Sequence, residues 1–144
     1  TNFKYDESML MGKGTKGRLT ASGFGVGLGL FLMGAAIKPT RWLMENYMLP
    51  KPGEGPSPSA QEKGFYDIRF FGETDRGEKI KTKVTGDRDP GYGSTSKMLA
   101  QAGISLAQDI SDEKKGGFWT TATVFDQRFI DRLEQYAGMN FTEL

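Results

Sequence analysis

The sequence predicts an α+β fold, and three observations carry that prediction. Two adjacent segments alternate apolar and polar residues strictly, two later segments repeat apolar residues at helical spacing, and an uncharged apolar run occupies the N-terminal third. Strict alternation puts one face of a strand inside and the other in water, whereas a spacing of three to four builds one helix stripe. The predicted sheet is mixed or antiparallel and is covered by helices.

The alternating pair is "FYDIRFF" (65–71) and "EKIKTKVT" (78–85), joined by "GETDRG". Tyr66, Ile68 and Phe70 share one face, as do Ile80, Thr82 and Val84; Asp67, Arg69, Lys79, Lys81 and Lys83 fall on the other. The reading is an antiparallel hairpin over 65–85 with one apolar and one basic face. The lysine row reads as a solvated face or as protection of a sheet edge. "STSKMLAQAGISLAQD" predicts a helix near 95–108, with Met98, Ala102 and Leu106 on one stripe. "FWTTATVF" (118–125) is aromatic and β-branched and predicts a strand. Asp126 then caps a helix near 126–137, whose inner face is Phe129, Ile130, Leu133 and Ala137, and Gly138 ends it. "MNFTEL" predicts a last strand near 139–143.

Before the hairpin the chain is less regular. Residues 1–18 are basic and poorly periodic, with room for a short strand. Residues 19–37, "LTASGFGVGLGLFLMGAAI", hold no charge and lie between Arg18 and Lys38. As a helix the run spans roughly 28 Å, close to the ~30 Å of a bilayer's hydrocarbon. Its five glycines oppose a helix, and "GFGVGLGL" also alternates like a strand. Gly23-x-x-x-Gly27 and Gly25-x-x-x-Gly29 would let helices approach closely. Burial in protein and contact with lipid both remain open for this segment. Pro39 opens a second helix over "PTRWLMENYML". Residues 49–64, with four prolines and three glycines, read as an extended connector without regular structure.

Composition narrows function. The net charge is +1, with 19 basic and 18 acidic residues, which gives no reason to expect nucleic acid. Cysteine and histidine are both absent, which excludes disulfides, thiol chemistry, His-based triads and the usual zinc sites. No metal site is expected. The start at Thr1, with no signal peptide in view, reads as an excised piece of a longer protein.

The candidate site is the loop "TGDRDPGYGSTSKM" (85–98), between strand and helix. Gly91-x-Gly93-x-x-Ser96 approaches a dinucleotide fingerprint. It fails because the third glycine is Ser, the first lies too far past the strand, and the strand belongs to a hairpin. The residues fit a type II turn at Asp89-Pro90-Gly91-Tyr92, with positive φ at Gly91, followed by a helix capped by Ser94 or Thr95. The free N–H groups there would leave a mild anion site beside a rigid Tyr92.

Two stretches resemble the C-terminal domain of saccharopine dehydrogenase-like oxidoreductases, a family that includes the mycobacterial trans-acting enoyl reductases. Pro52-Gly53-Glu54-Gly55-Pro56-Ser57 matches the connector that precedes the family's hairpin. Asp89-Pro90-Gly91-Tyr92, Thr95, Lys97, Met98 and Leu99 match its loop-to-helix motif. Gly116-Gly117 and Thr120-Thr121-Ala122 match a third motif, with Thr121 where the family usually has Pro, and "FIDRLEQYAGMNF" looks like the closing helix and strand. The resemblance implies one C-terminal, substrate- and dimerisation-forming domain, laid out as an apolar helical part (1–48), a connector (49–64) and an α+β core (65–144). It implies an N-terminal Rossmann domain, absent from this chain, that holds NAD(P), so that this piece alone binds no cofactor and is not active. The implied substrate is lipid-like or acyl. The implied partners are the Rossmann domain, a second copy of the chain, and a membrane or lipid surface through 19–37. The implied location is cytoplasmic or peripheral to a membrane. The loop residues Asp89, Gly91, Tyr92, Ser94 and Thr95 would face substrate or cofactor, and Tyr92 is the candidate proton donor. The alternative is a non-catalytic module for membrane contact or self-association.

Overall fold

A computed structural model describes residues 3–110 and 114–144. The chain divides into two compact units, Thr1–Glu54 and Gly55–Leu144.

The first unit is helical. α1 (Gly14–Ala36) contains the whole uncharged run but its last residue, so helical spacing prevails over strand alternation. No strand forms in residues 3–13. α1 is long and apolar enough to cross a membrane, with a mean hydropathy of 1.6 over a window that no part of the chain buries. Ile37 breaks it in extended backbone, and α2 (Lys38–Tyr47) follows with Pro39 in its first turn. The Thr40 hydroxyl holds the corner by donating to the carbonyls of Gly34 and Ile37, at 2.5 and 2.9 Å. Met44 packs there and is the buried apolar residue of α2.

The second unit is the α+β core. The connector is not wholly irregular: α3 (Pro58–Lys63) is a short helix. Ser57 caps it by accepting from the Ala60 N–H at 3.2 Å, and Pro58 sits at its first turn, where no N–H is needed. β1 (Tyr66–Glu73) and β2 (Lys79–Gly86) form the predicted hairpin, antiparallel from Tyr66↔Gly86 to Glu73↔Lys79. Gly77, at φ 81, makes the turn. α4 (Gly93–Gln108) and α6 (Gln127–Ala137) pack on each other, and β3 (Met139–Glu143) returns beside β2. The sheet is antiparallel throughout, in the order β1-β2-β3. β2 is therefore central over Thr82–Gly86, where β3 pairs with it; Lys79 and Lys81 are exposed, Lys83 is half-buried, and Lys79 lies beyond the reach of β3.

The predicted strand over 118–125 does not form. Residues 118–120 are irregular and α5 (Thr121–Val124) is a single helical turn. Hydroxyl groups decide this. The Thr120 N–H donates to Thr123 Oγ1 at 3.0 Å, and the two side chains meet at 2.9 Å. Lys114 Nζ caps the other end, donating to the Thr123 and Val124 carbonyls. Local side-chain bonds of this kind compete directly with a ladder.

The core is small. Phe129, Leu133 and Ala137 are buried on α6, and Met98, Ala102, Phe125, Met139 and Phe141 pack around them. Phe125 stacks on Phe129 with centroids 4.1 Å apart. Gly138 closes α6 in the left-handed region, at φ 68. Away from the core, Arg132 on α6 donates to both oxygens of Asp109, the residue that ends α4, at 2.6 and 3.3 Å. Arg132 and, to a lesser degree, the Ser105 hydroxyl hold the Asp109 carboxyl below its ordinary range, while desolvation pulls the other way. A carboxyl depressed by folding stabilises the fold above its unfolded pKa. That contribution fades as pH falls below about 4. Acid titration followed by circular dichroism should show a steeper loss of stability below that point in the native chain than in Arg132→Met.

Candidate functional site

The loop between β2 and α4 is built around Asp89. Its carboxylate accepts from the Tyr92 N–H at 2.7 Å and the Gly93 N–H at 3.2 Å. Those N–H groups, with that of Gly91, hold the Asp89 carboxyl below its usual range against desolvation; the Tyr92 N–H contributes most. The N-cap position of α4 is thus Tyr92, not Ser94 or Thr95, which lie inside the helix; the acceptor for its first N–H groups comes from Asp89, three residues earlier. The expected anion site at this helix end is filled by the protein's own carboxylate. Gly91 is also not in the left-handed region, so the type II turn does not form. The chain instead winds directly into the helix: the Ser94 N–H reaches the Asp89 carbonyl at 2.8 Å, and the Thr95 hydroxyl donates to the Pro90 carbonyl at 2.6 Å.

Ser94 does not face outward. It is fully buried, and its hydroxyl lies 2.9 Å from the Tyr66 hydroxyl. The Tyr66 ring covers Gly86, the last residue of β2, so closely that a Cβ there would lie 2.2 Å from ring carbons. A strand residue, a glycine and a buried serine therefore lock the start of α4 to the sheet.

The connector completes the site. Gln61 accepts the Asp89 N–H at its carbonyl, at 2.9 Å, and its side-chain amide donates to Pro56 at 2.9 Å. Gly64 passes so close that a Cβ would lie 2.4 Å from the Asp89 nitrogen. Gly55 lies under the Tyr92 ring, with a Cβ position 3.2 Å from Cζ. The Gly55-Pro56-Ser57 half of the connector motif and the Asp89–Tyr92 motif, distant in sequence, thus form one continuous surface.

Of the five residues expected to face a ligand, Asp89, Ser94 and Thr95 have their side chains engaged in holding the loop. Gly91 offers only backbone. Tyr92 remains, with its ring 56% exposed above Gly55. Sequence reasoning missed Gln61, Gly64, Tyr66 and Gly86. No spacing signals them, because each acts across a tertiary contact. Among the described residues, no cluster of three or more His, Cys, Asp or Glu could hold a metal ion.

The chain is 34% identical over 137 residues to a Mycobacterium tuberculosis protein whose name assigns it, provisionally, as a trans-acting enoyl reductase; the match covers 91% of this chain and 32% of that protein. It is 34% identical over 110 residues to a trans-acting enoyl reductase of Mycobacterium bovis, covering 74% and 26%. It is 28% identical over 142 residues to one from Mycobacterium ulcerans, covering 92% and 32%. No protein-family model and no solved structure matches. The chain spans about a third of the length of the curated relatives it matches most fully, and over that third it is similar to proteins named as enoyl reductases.

Proposed function

We propose that this chain is the substrate-facing, C-terminal part of an NAD(P)H-dependent, saccharopine dehydrogenase-like reductase that acts on an acyl or lipid-like enoyl substrate. The cofactor would sit in a Rossmann domain of the same polypeptide. The observation that carries the reading is the rigid seat of Tyr92, joined to similarity with proteins named for enoyl reduction. Reducing a carbon–carbon double bond consumes one hydride and one proton. NAD(P)H supplies the hydride, and the Tyr92 phenol is the candidate for the proton. Asp89 positions it by fixing the Tyr92 backbone.

A polypeptide joining this chain to such a domain should oxidise NADPH or NADH when given an enoyl thioester. Tyr92→Phe should lower kcat by roughly 100-fold or more if the phenol is the acid. Asp89→Asn should lower it less, since an amide oxygen still accepts the two N–H bonds. Unchanged turnover in both variants would remove the site assignment, and no nicotinamide oxidation with any enoyl substrate would remove the reductase reading.

The uncovered α1 favours a second reading, contact of the first unit with lipid. The chain should float with liposomes, and a version lacking 19–37 should stay in the dense fraction. No lipid binding with or without the segment leaves α1 as an element buried against protein or a second copy of the chain.

A further inference from the structure

Among the described residues, β1 is an edge strand that pairs with β2 alone. Natural edges are blunted by proline, bulges or charged side chains, lysine above all. β1 contains no proline or lysine and pairs in unbroken register along its whole length; of its three charges, Asp67 and Arg69 bond to each other and Glu73 ends the strand. Its side chains are also open: Ile68 is 49% exposed, Phe70 48% and Phe71 67%.

The first five residues of the strand are chemically palindromic. Tyr66-Asp67-Ile68-Arg69-Phe70 reads aromatic, acid, isoleucine, base, aromatic, and the pattern extends to Phe71-Gly72 on one side and to Gly64-Phe65, just before the strand, on the other. An interface with two-fold symmetry requires that if residue i meets j, then j meets i. We infer that β1 is the edge on which a second copy of this chain docks antiparallel, with Ile68 on the two-fold axis, giving a six-stranded sheet in the order β3-β2-β1-β1-β2-β3.

In that register Ile68 meets Ile68 once on the axis, and Asp67 meets Arg69 and Tyr66 meets Phe70 twice each. Asp67 and Arg69 already bond to each other along the strand, at 3.0 and 3.1 Å, on the face opposite Ile68. Pairing would place each beside the partner's opposite charge, an alternating group of four. Neighbouring registers are disfavoured. With Phe70 on the axis, Asp67 meets Glu73; with Tyr66 on it, the residues opposite Asp67, Ile68 and Arg69 precede the strand, and Lys63 belongs to α3. With Asp67 or Arg69 on the axis, like meets like. Opposite charges directly across a ladder stabilise it and like charges destabilise it. The apolar faces, carrying Ile68 and Phe70, would run on unbroken from one copy to the other.

The inference is independent of the reductase reading and is tested on the 144-residue chain. The chain has no cysteine, so one introduced thiol reports one contact. Directly opposed residues of antiparallel strands are about 4.5–5.5 Å apart at Cα, within disulfide range. Ile68→Cys should therefore oxidise to a cross-linked dimer. Phe70→Cys should not, since its two copies would lie roughly 14 Å apart. In sedimentation, Asp67→Arg and Arg69→Asp should each be monomeric alone, and an equimolar mixture should form a heterodimer, because each cation then faces an anion. The mixture would associate even though both variants lack the pair along the strand, which separates docking from a role in strand stability. A native chain that stays monomeric at all concentrations, equal cross-linking at Ile68 and Phe70, or a mixture that does not associate overturns the inference.

Discussion

Phe129→Ala should destabilise the second unit more than any other single side-chain truncation, by about 3–5 kcal/mol. The reason is how few side chains form the core. Phe129, Leu133 and Ala137 are its buried residues, all on one face of α6. Phe129 also carries the stack with Phe125, which aligns the end of α5 with the start of α6. A unit of this size is stable by about 5–13 kcal/mol, so the loss removes a large share of the whole. The melting midpoint should fall by more than about 10 °C. Leu133→Ala should follow at about 2–5 kcal/mol. Leu99→Ala, at a position 73% exposed on α4, should change stability by less than about 0.5 kcal/mol. Equilibrium urea unfolding of the three variants checks the order. A Phe129→Ala cost no larger than that of Leu99→Ala would mean that α6 does not organise the core.

The α6 face that carries this dependence is legible in sequence as Phe129, Leu133 and Ala137, whereas Ile130, read on the same face, is only partly buried. The hairpin, α6 and β3 were legible because each has an unambiguous period and clear boundaries: the alternation of 65–71 and 78–85, Asp126 as cap, and Gly138 as stop. Asp126 does accept from the Arg128 N–H, as a cap should. Two segments were misread for one shared reason. In "FWTTATVF" and "DPGYGST", intrinsic preferences gave way to hydroxyl and carboxylate groups bonding to nearby backbone. Thr120 and Thr123 favour a strand by propensity, yet as a reciprocal pair they close a helical turn. Asp89 was read as the first residue of a turn. Its carboxylate instead supports the start of α4, reaching the N–H groups of the N-cap residue Tyr92 and of Gly93, three and four residues on. The loop's identity was therefore legible and its geometry was not. The part supplied by Gln61, Gly64, Tyr66 and Gly86 depends on which segments meet, and no local pattern encodes that.

Gly86→Val should be the most damaging substitution in the loop region, acting on stability and on the candidate site together. Gly86 faces the Tyr66 ring, with no space for a Cβ short of 2.2 Å from two ring carbons. The ring is rigid, so the added atoms must drive it off β2. Overpacking of this kind costs about 1–3 kcal/mol. Displacing Tyr66 also strips the fully buried Ser94 hydroxyl of its 2.9 Å partner, and an unpaired buried polar group adds about 1–3 kcal/mol. The two contributions can be separated. Tyr66→Phe leaves the ring in place and removes only the bond, so it should carry the second cost alone. Tyr66→Phe with Ser94→Ala removes both polar partners and should recover most of it. Ser94 lies two residues past Tyr92, in the first turn of α4. Loss of the Tyr66 contact should therefore loosen the seat of Tyr92 as well. Amide hydrogen exchange at Tyr92 and Gly93 should accelerate in Gly86→Val and in Tyr66→Phe, and should return toward native rates in the double variant. Acceleration in Gly86→Val without any in Tyr66→Phe would show that the glycine matters for strand packing alone, and that Ser94 does not couple the sheet to the loop.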